Sequence, residues 1–168
     1  MEVLVVNDNT TALAADVARL ASLLLDKKLL MATAESCTGG LISGACTDLA
    51  GSSAWFERGF VTYSNDAKME LLGVDAALIN THGAVSEEVA RAMVEGAITH
   101  SKAQVAVAVT GVAGPTGGSR DKPVGTVWFA WSVHGKTSAQ RMLFAGDRAA
   151  VRAATVRHAL EQLVKQLG

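Results

Sequence analysis

Four short stretches carry side chains able to do chemistry. The first is AESCTGG, residues 34–40, where an acid, a serine, a cysteine and a threonine precede two glycines. It follows a short apolar run and precedes a small-residue helix pattern. A strand–helix junction of that kind sets backbone N–H groups and the positive end of a helix beside Ser36, Cys37 and Thr38. Such donors suit a phosphate, or the oxyanion of an acyl-transfer intermediate. Gly39 and Gly40 admit the close approach of a ligand or a neighbouring backbone. A capped, tightly packed helix start would use the same residues.

The second stretch is YSNDAK, residues 63–68, where a strand pattern turns into a helix pattern. With Ser64 or Asn65 as cap, Lys68 falls in or near the first turn. A cation there opposes the helix dipole. Burial and a helix N-terminus both push a lysine pKa down, and a neutral amine can take a proton from a serine hydroxyl. The alternative is a solvated lysine beside a Tyr63 that only packs.

The third is VTGVAGPTGG, residues 109–118. Thr110 and Gly111 end an apolar run and open a glycine-rich loop. In open α/β sheets ligands settle at the carboxyl ends of strands, so Thr110 stands where one would be touched. A mobile surface loop reads the same way. It is not a phosphate-binding Walker loop: the only Gly-Lys-Thr, Gly135–Thr137, has Ala130 where the first glycine belongs, and it sits in a hairpin turn. The fourth is GDRAAVR, residues 146–152. Asp147 is a helix cap, and Arg148 in the first turn could clasp a phosphate or pair with a surface acid. Spacing alone does not bring the four stretches together.

The elements that must position these residues follow from periodicity. Leu13, Val17, Leu20, Ala21 and Leu24 recur at helical spacing from Thr10 to about Lys27, with Thr10 or Thr11 as cap. Val3–Val6 and residues 29–34 suit short strands. Residues 40–49 read as a helix, 55–64 as a strand, and 65–72 as a helix stopped by Gly73. Ser86 opens a helix to about His100, with Glu87 and Glu88 in its first turn. Residues 104–109 read as a strand, its run after Gln104 continuously apolar, as in a strand buried on both faces. Residues 125–133 and 138–144 form a hairpin. A last helix follows Asp147, with Val156, Leu160, Leu163, Val164 and Leu167 on one face. This alternation predicts a single domain over 1–168: a three-layer α/β/α fold with a mixed β-sheet.

Composition bounds the function. The chain has 168 residues, 49% hydrophobic and 18% charged, which suits one globular domain. A net charge of −1 offers no basic excess for a nucleic-acid partner. Cys37 and Cys46 are too few for a disulfide framework or a structural zinc site. The start MEVLVVNDNT lacks a basic leader, and no apolar run reaches the roughly 20 residues of a membrane span. A cytoplasmic protein without membrane or nucleic-acid partners is expected.

The stretches AESCTGG, GSSAWFERGFVTYSNDAK, GAVSEEVA, VAVTGVAGPTGG, KPVGTVWFAW and FAGDR together resemble the C-terminal domain family of the competence-damage protein CinA. The resemblance covers roughly residues 12–168; the first dozen residues depart from it. Absence of the family's larger N-terminal domain points to its stand-alone, nicotinamide-nucleotide amidase type. The resemblance implies hydrolysis of the carboxamide of nicotinamide mononucleotide to nicotinate mononucleotide and ammonia, without metal or cofactor. It implies Ser36 as nucleophile, Lys68 as base, Tyr63 assisting, Thr110 lining the site and Arg148 near the phosphate. The small-molecule partner is then a pyridine nucleotide, bound also by Cys37, Thr38, Gly39 and Gly111. A catalytically silent nucleotide-binding module is the alternative. Cys37 is the rival nucleophile, but a cysteine amidase usually has a positioned histidine. His100, His134 and His158 read as solvated, and His82 is undecided. A homo-oligomer is expected, a dimer being the commonest form, with Trp55 and Phe56 as contact candidates if exposed.

Overall fold

The computed structural model describes residues 8–168. The strand read at Val3–Val6 lies outside the described residues. The elements run α1 (Asp8–Lys27), β1 (Met31–Glu35), α2 (Leu41–Thr47), β2 (Phe56–Val61), α3 (Asn65–Leu72), α4 (Ala76–His82), α5 (Glu87–Thr99), β3 (Val105–Gly111), β4 (Thr126–Val133), β5 (Lys136–Leu143) and α6 (Arg148–Leu167). The sheet order is β2-β1-β3-β4-β5. The first three strands are parallel, and β4 and β5 add an antiparallel hairpin. The expected mixed sheet is therefore present. Its hairpin turns through His134 and Gly135, both at positive φ, as a two-residue reverse turn demands.

The period of two along β3 explains the layers. Val105, Val107 and Val109 face one core, with Val17, Leu20 and Leu24 of α1 and Leu160, Leu163 and Leu167 of α6. Ala106 and Ala108 face the other, with Val89, Met93 and Ala97 of α5. Alanines on that face let α5 approach the sheet closely. Gly96 does the same for α3 against α5: a Cβ there would collide with the backbone carbonyl of Leu72.

Several boundaries differ from expectation. α1 begins before Thr10 and Thr11, so neither caps it. The short helix α4 was not expected; Asp75 caps it, accepting from Ala77 N at 2.9 Å. Trp55 is buried against Phe56 edge to face, and so offers no surface for a subunit contact. Ser64 caps α3, Ser86 caps α5 and Asp147 caps α6, each through a side-chain oxygen that accepts a first-turn N–H. Because β1, β2 and β3 are parallel, their carboxyl ends meet at one edge of the sheet. Ser36, Tyr63 and Gly111 all lie there.

Candidate active site

Ser36 follows the last residue of β1, and its N–H donates to Val109 O of β3 at 3.1 Å. The register that pairs Glu35 with both Val61 and Val109 carries it to the mouth of the sheet. There Lys68 arrives from the next strand end. The chain leaves β2, turns through Thr62 and Tyr63, and starts α3 with Lys68 in its first turn. The Lys68 Nζ lies 3.0 Å from Ser36 Oγ. It also donates to Thr62 O at 2.9 Å and to Tyr63 O at 3.3 Å. Lys68 is 1% exposed and Ser36 8%. No carboxylate lies within ion-pair distance of Lys68 among the described residues. Burial therefore drives the Lys68 pKa down, opposed by the Cys37 thiol when ionised. Two carbonyls can take the N–H bonds of a neutral amine, leaving its lone pair for the serine hydroxyl.

Cys37 is adjacent but chemically different. Burial first, and then the nearby Glu35 charge, push its pKa up to about 11. A thiol so held is a poor nucleophile near neutral pH. No histidine lines the cavity around Ser36. His158, expected to be solvated, instead packs edge-on against Phe129 and Phe144, and burial lowers its pKa. It faces the β4–β5 hairpin because the apolar face of α6 is wider than its leucines alone suggest. His82 pairs with Glu88 at 3.5 Å.

The cavity holds about 360 Å³ and includes Ser36, Cys37, Tyr63, Lys68, Thr110 and Arg148 in its wall. Gly111 also lines it, its missing Cβ allowing β3 to press against Val127. The Thr110 hydroxyl donates to Ala84 O at 2.9 Å, tying β3 to the start of α5. Tyr63 contributes its carbonyl to Lys68, while its ring is 61% exposed. Its phenol accepts from Arg148 Nη2 at 3.1 Å, and Arg148 Nη1 donates to Gly114 O at 2.8 Å. Thr38 and Gly39 are not brought to the wall. Thr38 is fully buried, and Gly39 is exposed outside the cavity wall.

Three residues of the site escaped the sequence reading. Glu35, fully buried, receives five donors. Thr38 Oγ1 and Ile42 N reach Oε1 at 2.7 and 2.8 Å. Ser43 Oγ, Ser43 N and Thr33 Oγ1 reach Oε2 at 2.7, 3.0 and 3.4 Å. A strand-end acid thus caps α2, and its charge occupies the helix start that a ligand anion would have used. Arg152 of α6 donates to Cys37 O and Thr38 O, each at 3.1 Å. Asn65 lines the cavity three residues before Lys68. Glu35 stood in view within the first motif, and Arg152 follows Arg148 by one helical turn. Nothing local in the sequence announced the partners of either.

Fold and site define a class: a three-layer α/β domain with a lysine-paired serine at its parallel strand ends. Residues 13–167 match the family model of the CinA C-terminal domain, and the chain belongs to that family. Among similar proteins is the nicotinamide-nucleotide amidohydrolase PncC of Escherichia coli (strain K12), 53% identical over 135 residues, covering 80% of this chain and 82% of that one. The protein of the same name from Pseudomonas putida is 58% identical over 136 residues, covering 81% and 84%. A solved CinA superfamily protein from Escherichia coli superposes with a TM-score of 0.90 at 39% identity, covering 98% of this chain and 95% of that one. A competence/damage inducible protein from Agrobacterium tumefaciens gives 0.89 at 47% identity, covering 92% and 94%. No described helix is long and apolar enough to cross a membrane.

Proposed function

We propose that this chain is a nicotinamide-nucleotide amidohydrolase that works through Ser36 as nucleophile and Lys68 as general base. One observation carries the mechanism: a buried amine, without a carboxylate partner among the described residues, 3.0 Å from a serine hydroxyl at the cavity wall. The names of the relatives supply the substrate class.

Ser36 Oγ attacks the carboxamide carbon as its proton passes to Lys68 Nζ. The carbonyl π electrons move to oxygen, and the N–H of Cys37, which lines the cavity and has no carbonyl partner among the described residues, is the candidate donor for that oxyanion. The intermediate collapses, the C–N bond breaks, and Lys68 returns the proton to the departing ammonia. Water then attacks the Ser36 ester, giving its proton to Lys68. Collapse frees the nicotinate nucleotide, and the Lys68 ammonium returns its proton to Ser36 Oγ, becoming a neutral amine again. Each proton moves among serine, lysine, water and the leaving nitrogen, so the cycle is complete without a metal ion. Arg148 has donors beyond those on Gly114 and Tyr63, and takes the substrate phosphate.

Ammonia release from nicotinamide mononucleotide tests this. The expected pattern is turnover in the unmodified protein, loss in Ser36→Ala and Lys68→Ala, and retention in Cys37→Ala. Binding without turnover in the unmodified protein would make it a nucleotide-binding module instead. Loss in Cys37→Ala with retention in Ser36→Ala would reverse the nucleophile.

A further inference from the structure

We propose that Arg152 is the positioning residue of the turn that carries Ser36, and that it presets the amide on which the reaction's oxyanion rests. The inference rests on Ser36 being the nucleophile.

Arg152 lies one helical turn beyond Arg148 on α6, far from Ser36 in sequence. Its Nε donates to Cys37 O and its Nη2 to Thr38 O, each at 3.1 Å. Gly39 turns the chain beneath this grip at a φ of 60°, which favours glycine. Glu35 holds the same turn from within, through the Thr38 hydroxyl at 2.7 Å. Thr38 is thus gripped at its carbonyl by a cation and at its side chain by an acid.

The peptide bonds of this turn are trans, so each carbonyl points opposite to the N–H of the same unit. Fixing Thr38 O therefore fixes the Gly39 N–H, which donates to Ser36 O at 3.1 Å. A fixed Ser36 O in turn fixes the direction of the Cys37 N–H. The Cys37 N–H has no carbonyl acceptor among the described residues, and Cys37 lines the cavity. A guanidinium on Thr38 O also polarises this chain of amides and strengthens the Cys37 N–H as a donor. Arg152 does not line the cavity that holds Ser36. It acts on the reaction through the turn and touches no substrate.

A fluorophosphonate probe reads this without reference to the natural substrate. Ser36 Oγ attacks phosphorus, fluoride leaves with the P–F electrons, and the serine proton passes to Lys68. The phosphonyl oxygen occupies the oxyanion position. In Arg152→Gln the labelling rate at Ser36 should fall at least about tenfold, toward the 10²–10³ typical of a lost oxyanion donor. The pH midpoint of labelling, set by Lys68, should stay in place. Arg152→Lys, which keeps one charged donor, should fall in between. An unchanged rate in Arg152→Gln overturns the proposal, as does a loss accompanied by a shifted pH midpoint. If Arg152→Gln does not fold, Arg152→Lys decides: a folded lysine variant with an undiminished rate refutes the role, and a slowed one supports it. Absence of labelling in the unmodified protein refutes it as well. Labelling that slows in Arg152→Gln, in a protein that releases no ammonia from nicotinamide mononucleotide, keeps this inference and removes the amide reading.

Discussion

Glu35→Gln is nearly isosteric, yet it should be among the most damaging single changes in the chain. The two carboxylate oxygens face different sets of donors. Oε1 takes Thr38 Oγ1 and Ile42 N; Oε2 takes Ser43 N, Ser43 Oγ and Thr33 Oγ1. A glutamine must turn its NH₂ toward one set or the other. Hydroxyls can rotate to accept it, but a backbone N–H cannot. Whichever way the amide turns, Ile42 N–H or Ser43 N–H loses its acceptor inside the fold, at about 1–3 kcal/mol. The backbone bond that survives falls from charge-assisted to neutral strength, a further loss of about 1 kcal/mol. With smaller losses at the hydroxyls, the sum is about 2–5 kcal/mol. For a domain of this size that lowers Tm by about 5–15 °C. Urea denaturation at neutral pH measures the change directly, with the m-value as a check that the unfolded state is unaltered. A loss under about 1 kcal/mol at constant m, with Ser36 reactivity unchanged, would refute the claim that Glu35 builds the turn.

The stability of the unmodified protein relative to Lys68→Met should rise with pH. Below its lowered folded pKa the native state bears a buried ammonium, while the unfolded amine keeps its proton up to the ordinary 10.5, so the penalty fades as pH climbs between those two values; denaturation at several pH values would show the reverse slope, or none, if Lys68 were not buried without a countercharge. Arg148→Ala should weaken nicotinamide mononucleotide by about 1.5–3 kcal/mol and unphosphorylated nicotinamide hardly at all, and equal losses by titration calorimetry would remove the phosphate role. Gly96→Ala should destabilise the fold by about 1–3 kcal/mol and depress kcat, because the added methyl meets the Leu72 carbonyl and pushes away the helix that carries Lys68; unchanged melting would show that α5 yields without strain.

What could be read early was local. A cap at Ser64 or Asn65, Gly73 as stop and Lys68 in or near the first turn of α3 follow from ten contiguous residues, and the structure settles the cap on Ser64. The hairpin, the strands and the last helix were legible for the same reason. The meeting of Ser36 with Lys68 was not, because it depends on the parallel register that sets Glu35 beside Val61. Glu35 and Arg152 lay deeper still. An acid on a strand end looks like any other acid until α2 presents its N–H groups to it, and Arg152 reaches a turn 114 and 115 positions earlier in the chain. The resemblance implies that Tyr63 assists without saying by which atom; its main-chain oxygen accepts from Lys68, and its phenol accepts from Arg148. Helix α4, seven residues between Gly73 and Gly83, is too short for periodicity to declare.

Glu35 and Lys68 are both buried near Ser36, and they are kept from pairing. The carboxylate turns toward Thr38, Ile42 and Ser43, while the amine turns toward Ser36 and two carbonyls. A contact between them would have satisfied both charges and raised the lysine pKa, leaving an ammonium with no lone pair for the serine proton. Carbonyls place the amine without supplying the countercharge that would hold its proton. A lysine needed only for packing would fare better as methionine, since its burial unpaired costs stability. Under the proposed mechanism, the separation of these two charges is the arrangement that lets Lys68 serve as a base, and it joins the construction of the turn to the proposed chemistry.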